Sequence, residues 1–193
     1  MKKIVATIIS GVILCLGFFN AAMAQDGFFS DAETLRPGTF SLGVQSAIYT
    51  EVDNEAMLFL RGAYGVNTGL SLYGKLGLLR DDTYIGGHFK YRLTGEASAP
   101  FSFSALGGAY AFGDIGLKIG GIISKNMGQL SLYSGLTFEP LFTDPDALTP
   151  LLIPVGVDIP IGNQANFVLE ADIAANDDAD FYQALHFGLN FYL

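Results

Sequence analysis

The stretch GLSLYGKLGLL, residues 69–79, decides the fold because its side chains alternate between two kinds. Leu70, Leu72, Leu76 and Leu78 lie on one parity, and small, polar or charged residues fill the positions between them. Successive side chains of a β-strand point to opposite faces of the sheet. A period of two therefore predicts a strand with one hydrocarbon face and one polar face, and leaves open whether protein or lipid covers the hydrocarbon.

The alternation recurs in ten segments along the chain. Most contain about ten residues or more, which exceeds the usual length of strands in soluble sheets and suits a tilted strand that crosses a bilayer. Short separators rich in Asp, Asn and Gly predict tight turns, and only residues 140–150 predict a longer loop. The segments are 39–52, 56–66, 69–79, 84–93, 101–112, 115–124, 129–139, 151–161, 166–175 and 181–193.

Two prolines lie inside the eighth segment. Pro154 and Pro160 lack the N–H group that donates to a neighbouring strand. We therefore predict that this strand is irregular at both ends or contains a bulge.

The first 24 residues have the layout of a secretory signal peptide. Lys2 and Lys3 precede an apolar run over residues 4–19 and a small-x-small cleavage site that ends at Ala24. The run is too short for a transmembrane helix. This predicts an exported chain with a signal peptide at 1–24, an N-terminal segment at 25–38 and a strand-forming domain at 39–193.

Composition excludes several classes of function. Cys15, the single cysteine, lies in the signal peptide, so the mature chain has no disulfide, thiolate nucleophile or cysteine metal site. The chain carries 19 acidic and 10 basic residues for a net charge of −9, and loss of Lys2 and Lys3 brings the charge to −11. This acidity argues against nucleic-acid binding. The mature chain has no apolar run long enough for a membrane-spanning helix.

The apolar face of the strands could lie against either of two environments. In a secreted β-sandwich that binds carbohydrate or protein, it would face a protein core. In a membrane barrel it faces lipid, and the polar parity fills a narrow lumen. The polar parity is rich in glycine and tyrosine, which favours the barrel and keeps the sandwich as the alternative. The predicted fold is all-β, a single antiparallel up-and-down transmembrane β-barrel of about ten strands, with eight to twelve compatible with the pattern.

The predicted turns at the two ends of the barrel differ in their number of acidic residues. Odd- and even-numbered turns of an up-and-down barrel lie at opposite ends, and Glu96 is the one acid in the even turns. Outward aromatic residues concentrate near the even-turn end. We predict that the even turns and both chain termini are periplasmic and that the odd turns face outward. The odd-turn acids are Asp53, Glu55, Asp81, Asp82, Asp114, Asp144, Asp146, Asp177, Asp178 and Asp180.

The chain ends in HFGLNFYL, residues 186–193. His186, Gly188 and Phe191 match the polar, glycine and aromatic positions of the C-terminal assembly signal of bacterial outer-membrane barrels, and Leu193 stands where a final aromatic residue is customary. On these residues the chain resembles a small, porin-like outer-membrane β-barrel protein. The resemblance implies that residues 39–193 form a barrel in the outer membrane of a Gram-negative-type envelope and that residues 25–38 are periplasmic. The implied partners are membrane lipid, lipopolysaccharide and the barrel-assembly machinery. The protein is expected to be a monomer.

Ten charged or titratable residues lie on the inward parity. Segments two to six supply basic groups and histidine, and segments seven to nine supply acids, so the two groups would face each other across the lumen. One interpretation is an ion-pair network in a mostly plugged barrel with a structural role. The other is the charged constriction of a narrow, low-conductance pore. The residues are Arg61, Lys75, His88, Lys90, Arg92, Lys118, Glu139, Asp158, Glu170 and Asp172.

The sequence patterns predict neither catalysis nor a cofactor. His88 and His186 fall mid-strand, and neither has a serine or an acid two residues further along its own face. Asp172 or Glu170 can approach His186 from the neighbouring strand, but one histidine–carboxylate pair is more often structural. The acidic turn at 176–180 lacks the glycine and the terminal glutamate of an EF-hand, which favours a solvated tip. We therefore predict that the protein is not an enzyme, has no cofactor and holds no metal.

Overall fold

The computed structural model describes residues 27–50, 56–78, 83–143 and 147–193. Among these residues, no helix is both long enough and apolar enough to cross a bilayer. The predicted signal peptide at 1–24 lies outside the described residues, as do the turn acids Asp53, Glu55, Asp81, Asp82, Asp144 and Asp146.

The described residues form twelve strands and the 3-10 helix Asp177–Tyr182. Ten strands are long, and two are short pieces that follow β7. The strands are β1 (Phe40–Tyr49), β2 (Ala56–Asn67), β3 (Leu70–Leu78), β4 (Thr83–Thr94), β5 (Ser102–Phe112), β6 (Asp114–Asn126), β7 (Ser131–Phe138), β8 (Leu141–Phe142), β9 (Ala147–Leu148), β10 (Leu151–Ile161), β11 (Ala165–Ala174) and β12 (Ala184–Tyr192).

The ten long strands form a closed antiparallel barrel. Each pairs with the next long strand along the chain, and β1 pairs with β12 from Ser41↔Tyr192 to Tyr49↔Ala184. The pairing of β5 with β6 completes the ring. Closure gives every long strand a partner on both sides and so removes the edges of an open sheet. The predicted all-β, up-and-down barrel of about ten strands is confirmed.

Burial alternates along the strands as the sequence predicts. In β1, Leu42 is 47% exposed, whereas Gln45 on the opposite parity is 0% exposed. In β3, Leu72 is exposed, and Ser71 and Lys75 are buried. The apolar parity therefore points outward and the polar parity points into the barrel. A sandwich would bury the apolar parity instead, so the structure disfavours that alternative.

The described residues of the predicted loop, 140–143 and 147–150, contain the short strands β8 and β9, which extend β7 and β10. β8 continues β7 along β6 without a change of register, and β9 leads into β10 in the same way. The breaks fall at Pro140 and Pro150, which have no N–H to donate to a neighbouring strand. Their carbonyls still accept hydrogen bonds of 2.9 Å from the backbone N–H groups of Leu117 and Glu139. The two prolines make the stretch look like a loop in the sequence, although the strand direction is kept.

The predicted irregularity of the proline-containing strand, β10, is found on one side. Against β11, the pairing continues from Leu152 to Ile161 through both prolines. Against β7, the pairing skips Pro154 and ends at Asp158, before Pro160. The last strand also begins later than predicted, because the 3-10 helix occupies the start of the tenth segment.

Candidate functional site

The predicted charged residues line the inside of the barrel. All but Glu139 belong to strands, and these strands lie in different parts of the ring. His88 and Arg92 are half-buried. The other eight are buried, and they are Arg61, Lys75, Lys90, Lys118, Glu139, Asp158, Glu170 and Asp172.

The chain's own residues 27–36, here called the N-terminal segment, lie between these side chains. The sequence pattern predicted a segment outside the barrel over residues 25–38. In the structure, Phe28, Phe29 and Ala32 are each at most 1% exposed, so this part of the chain is covered. Two buried phenylalanines give the segment a large apolar contact area inside the lumen. They pack against the inward side chains of Leu106, Ile122, Tyr133 and Val168.

Inward cations bind the backbone of the N-terminal segment. The guanidinium of Arg61 donates to the carbonyl oxygens of Phe29 at 2.7 Å and Phe28 at 3.0 Å. Its Cζ also lies 4.9 Å from the centroid of the Phe29 ring. The ammonium of Lys90 donates to the carbonyl oxygen of Asp31 at 2.7 Å. Hydrogen bonds from charged donors are stronger than neutral ones, so these contacts tie the segment to β2 and β4.

Neutral and acidic side chains complete the binding of the segment. The Ser104 hydroxyl donates to the carbonyl of Ala32 at 2.5 Å, and the Ser124 hydroxyl accepts from the N–H of Ala32 at 3.1 Å. The carboxylate of Glu170 accepts from the N–H of Phe29 at 2.8 Å. The backbone groups of a strand-free segment in the lumen thus find side-chain partners from several strands, as buried backbone groups require.

Two ion pairs accompany these contacts. Lys118 and Glu139 lie 3.1 Å apart and are almost fully buried. Arg92 pairs with Glu33 of the N-terminal segment at 2.5 Å. The first pair joins a member of the predicted basic group to a member of the predicted acidic group, but through neighbouring strands. The acid of the second pair, Glu33, belongs to the segment that was predicted to lie outside the barrel.

A compact polar cluster lies where β11 meets β12. Glu170 and Asp172 share one face of β11, and His186 lies opposite Glu170 on β12. Oδ2 of Asp172 lies 2.9 Å from Nε2 of His186, whose Nδ1 lies 2.8 Å from the amide nitrogen of Gln45. The Tyr133 hydroxyl donates to Oε2 of Glu170 at 2.7 Å. The predicted approach of both carboxylates to His186 is therefore present in the structure.

The odd-turn end of the lumen has a different filling. Half of its eight buried side chains are aromatic, with Tyr84 between two other rings. The Tyr84 ring meets the Phe59 ring edge-on at 5.4 Å and stacks on the Tyr110 ring at 5.6 Å. A Cβ at Gly116 would lie 2.2 Å from Cζ of Tyr110, so a glycine is needed beside that ring. We call the set Ala47, Tyr49, Met57, Phe59, Tyr84, Tyr110, Leu141 and Ala184 the aromatic cluster.

Half-buried His88 makes an aromatic contact. Its ring stacks on the ring of Tyr73 at 4.8 Å with an interplanar angle of 5°. The ammonium of Lys90 lies 5.1 Å from the centroid of the same tyrosine. Tyr73, which faces into the lumen, thus supports both residues through its ring face.

Asp158 lies at the opposite, even-turn end. Its Oδ1 accepts a hydrogen bond of 2.6 Å from the side-chain amide of Asn166. It borders a cavity of about 420 Å³ between the N-terminal segment and the barrel wall. Asp31, Lys90 and Tyr192 also border this cavity, which is therefore polar.

The odd-turn loops are linked to each other by side-chain hydrogen bonds. The carboxylate of Asp178 accepts from the backbone N–H of Thr149 at 2.9 Å and from its hydroxyl at 2.8 Å. These bonds favour the ionised form and lower the pKa of Asp178. Burial raises the pKa of Tyr182 to about 12, with the charges of Glu139 and Asp178 acting in the same direction.

The residues of the predicted assembly signal lie on β12 and just after it. His186 is buried, Phe191 is exposed on the outer face, and Leu193 is 73% exposed. A Cβ at Gly188 would lie 2.0 Å from the carbonyl oxygen of Val44, so this glycine also allows β12 to approach β1 closely. The glycine therefore has a packing reason in the folded barrel that is independent of assembly.

Sequence reasoning missed the lumen site of the N-terminal segment. Residues 27–36 have no strand or helix period, and they bind barrel side chains mainly through their own backbone groups, which no sequence pattern displays. The usable signal was the pair Phe28 and Phe29, because two large apolar rings in an otherwise polar segment need a covered position.

Comparisons with known proteins found solved β-barrel structures that are similar to the chain at low sequence identity. No family model matches the chain, and no curated protein matches it. A designed transmembrane β-barrel is 17% identical over 83% of this chain and 99% of its own, with a TM-score of 0.43. The N-terminal β-barrel domain of Pseudomonas aeruginosa OprF is 9% identical over 81% of this chain and 98% of its own, with a TM-score of 0.40.

Proposed function

We propose that this protein is a monomeric barrel of a bacterial outer membrane whose lumen is closed by its own residues. Its role is structural, and any conduction follows a narrow path that the N-terminal segment obstructs. The observation that carries this proposal is the reversed polarity of the barrel. Large apolar side chains cover the outside, and charged side chains fill the inside.

The outer surface suits lipid rather than water. Exposed leucine, isoleucine, valine and phenylalanine side chains occur on all ten long strands, among them Leu42, Leu72, Ile119 and Leu185 at 41–56% exposure. Soluble monomers rarely expose contiguous apolar patches beyond a few hundred Å². A ring of such residues around a closed barrel is the outward band expected of a transmembrane barrel.

The exposed aromatic residues support a membrane boundary at the even-turn end. Phe40, Tyr64, Tyr91 and Phe101 lie there, with 41–50% of each side chain exposed. Aromatic rings concentrate where a bilayer meets water, because they place an apolar ring beside polar headgroups. On this argument the N-terminal segment enters the lumen from the periplasmic side.

Two layers of side chains support a closed lumen. The aromatic cluster fills the odd-turn end, and the N-terminal segment fills the middle, with Phe29 and Tyr49 both at 0% exposure. The polar cavity of about 420 Å³ lies on the even-turn side of the segment. A path for ions from one end to the other would therefore require both layers to move.

We propose no catalytic role for the chain. Both ring nitrogens of His186 lie within hydrogen-bond distance of other side chains, so the ring is not available to activate a nucleophile. The buried contacts of the lumen hold groups in place, which agrees with a structural role. Assembly by the barrel-assembly machinery and contact with lipopolysaccharide belong to the same proposal.

Site-directed spin labelling tests the membrane position, and the cysteine-free mature chain suits it. The variants are Leu72→Cys on the apolar parity and Asp177→Cys at the exposed 3-10 helix. In reconstituted bilayers we expect the label at Leu72 to be more accessible to oxygen, which dissolves in lipid, than to a water-soluble nickel complex. The label at Asp177 should show the reverse. Equal nickel accessibility at both positions, or a soluble protein after detergent-free fractionation, would refute the membrane assignment.

A further inference from the structure

The polar cluster of β11 and β12 has more hydrogen-bonding capacity than the protein uses. Glu170, Asp172 and His186 are 1%, 4% and 0% exposed. One donor atom from each lies within 4.8 Å of the others. Oε1 of Glu170 and Oδ1 of Asp172 have no hydrogen-bond partner among the described residues. An unpartnered carboxylate oxygen in a buried site is costly, so each calls for a ligand.

The types of donor atom narrow the class of that ligand. Zn²⁺ binds imidazole nitrogen and carboxylate oxygen at about 2.0–2.2 Å, so two carboxylates and one imidazole offer it three ligands. Ca²⁺ and Mg²⁺ prefer sites made of oxygen alone, so the imidazole favours a transition metal over them. The separation of 2.9 Å between Oδ2 of Asp172 and Nε2 of His186 is close to the spacing of two ligands on one ion.

Gln45 supplies an independent observation that points to the same ligand. Its amide nitrogen donates to Nδ1 of His186, while its Oε1 is buried without a partner among the described residues. Rotation of this amide by 180° would let Oε1 accept a hydrogen bond from a protonated Nδ1. Metal-bound histidines donate their other N–H to such an acceptor, which orients the ring. Gln45 can therefore serve the metal-free and the metal-bound forms of His186.

We infer that Glu170, Asp172 and His186 form a binding site for one divalent transition-metal ion, with Zn²⁺ as the best match. The ion would replace the proton now shared between His186 and Asp172 and would neutralise two buried carboxylates. It would join β11 to β12 beneath the N-terminal segment.

The N-terminal segment controls how the ion enters. A Cβ at Gly27 would lie 1.7 Å from Oε1 of Glu170 and 3.1 Å from Oδ2 of Asp172, so the glycine backbone covers the cluster directly. The folded barrel would therefore exchange the ion slowly. The ion has to be supplied during folding, before the segment closes over the site.

Refolding with zinc and elemental analysis tests the site. The mature protein is unfolded in urea, refolded into detergent with ZnCl₂, and passed through a desalting column with EDTA in the buffer. We expect one zinc per chain by mass spectrometry of the elements. Asp172→Asn and Glu170→Gln should each reduce the content at least tenfold. Asp158→Asn is the matched control, because Asp158 is a buried lumen acid outside the cluster and should leave the content unchanged.

Two further readouts separate failure of the site from failure of the barrel. Heat-modifiable migration on a gel identifies the variants that still fold, and only those are compared. Refolding with CaCl₂ or MgCl₂ should leave neither ion bound after the column. Less than a tenth of a zinc per folded wild-type chain, or zinc retained by folded Asp172→Asn and Glu170→Gln, would overturn the proposal while the barrel itself stands.

Discussion

The odd-turn end and the middle of the lumen are closed by different kinds of structure. At the odd-turn end, the rings of the aromatic cluster belong mainly to the barrel strands and pack against each other at 5.4–5.6 Å. In the middle, Arg61, Lys90 and Glu170 hold a segment that precedes β1 in the chain. One closure is part of the wall, and the other is a tethered peptide bound to the wall.

The difference has a physical consequence for how each closure can fail. Rings anchored on paired strands can leave the lumen only if the barrel unfolds or individual side chains change rotamer. The N-terminal segment is attached at one end through β1, so its withdrawal breaks side-chain hydrogen bonds but leaves the strand pairing intact. The closure in the middle of the lumen is therefore the weaker one. Withdrawal of the N-terminal segment should cost less free energy than unfolding of the whole barrel.

The largest expected effect is on ion conduction. Deletion of residues 27–36 combined with Phe59→Ala and Tyr84→Ala removes both closures, and we expect steady channels in planar bilayers. The intact protein should be nearly silent, and each change alone should give small or brief openings. Steady channels from the deletion alone would show that the aromatic cluster does not seal its end.

The second effect concerns the stability of the wall. Phe59 is fully buried in the aromatic cluster, so Phe59→Ala should lower the free energy of unfolding by about 3–5 kcal/mol. Urea titration in detergent, followed by heat-modifiable migration, measures the change. Leu72→Ala on the lipid-facing parity is the control, and it should cost much less because it leaves no internal cavity. An equal loss in both variants would contradict the assigned inside and outside.

The third effect concerns the tethered segment. Arg61→Ala leaves the buried carbonyls of Phe28 and Phe29 without this donor, and we expect a loss of about 2–3 kcal/mol. Thermolysin, which cleaves before large apolar residues, should then cut near Phe28 in Arg61→Ala faster than in Phe59→Ala. Arg61→Lys should fall between wild type and Arg61→Ala. Comparable cleavage in Phe59→Ala would mean that the two closures are coupled.

The smallest effect lies in the outer loops. Hydrogen bonds from Thr149 lower the pKa of Asp178, so their stabilising contribution is complete above the usual aspartate range and is lost as the pH falls through the lowered pKa. Asp178 is exposed, and we expect a slight change in thermal stability confined to acidic pH. Asp178→Asn should remove this part of the pH dependence. Melting curves from pH 2 to pH 6 measure it, and an unchanged profile in the variant would remove the assignment.

Much of the candidate site follows from local patterns, and part of it does not. Alternation placed Lys118, Glu139 and Glu170 on the inward face, and the structure buries all three. It could not reveal that Arg61 and Lys90 bind backbone carbonyls, because every residue carries one and only folding selects which is near. It also misread residues 140–150, where two prolines interrupt hydrogen bonding without changing the direction of the chain.

The sequence by itself determined the strands, their two faces and the closed ring, because a period of two is a property of neighbouring residues and each strand pairs with the next. Only the tertiary structure decided what fills the ring. The N-terminal segment has no period, and its place depends on the side chains of six strands meeting in one lumen. The approach of Glu170 and Asp172 to His186 follows from two consecutive strands, but only the fold adds Gln45 beside His186 and Tyr133 beside Glu170.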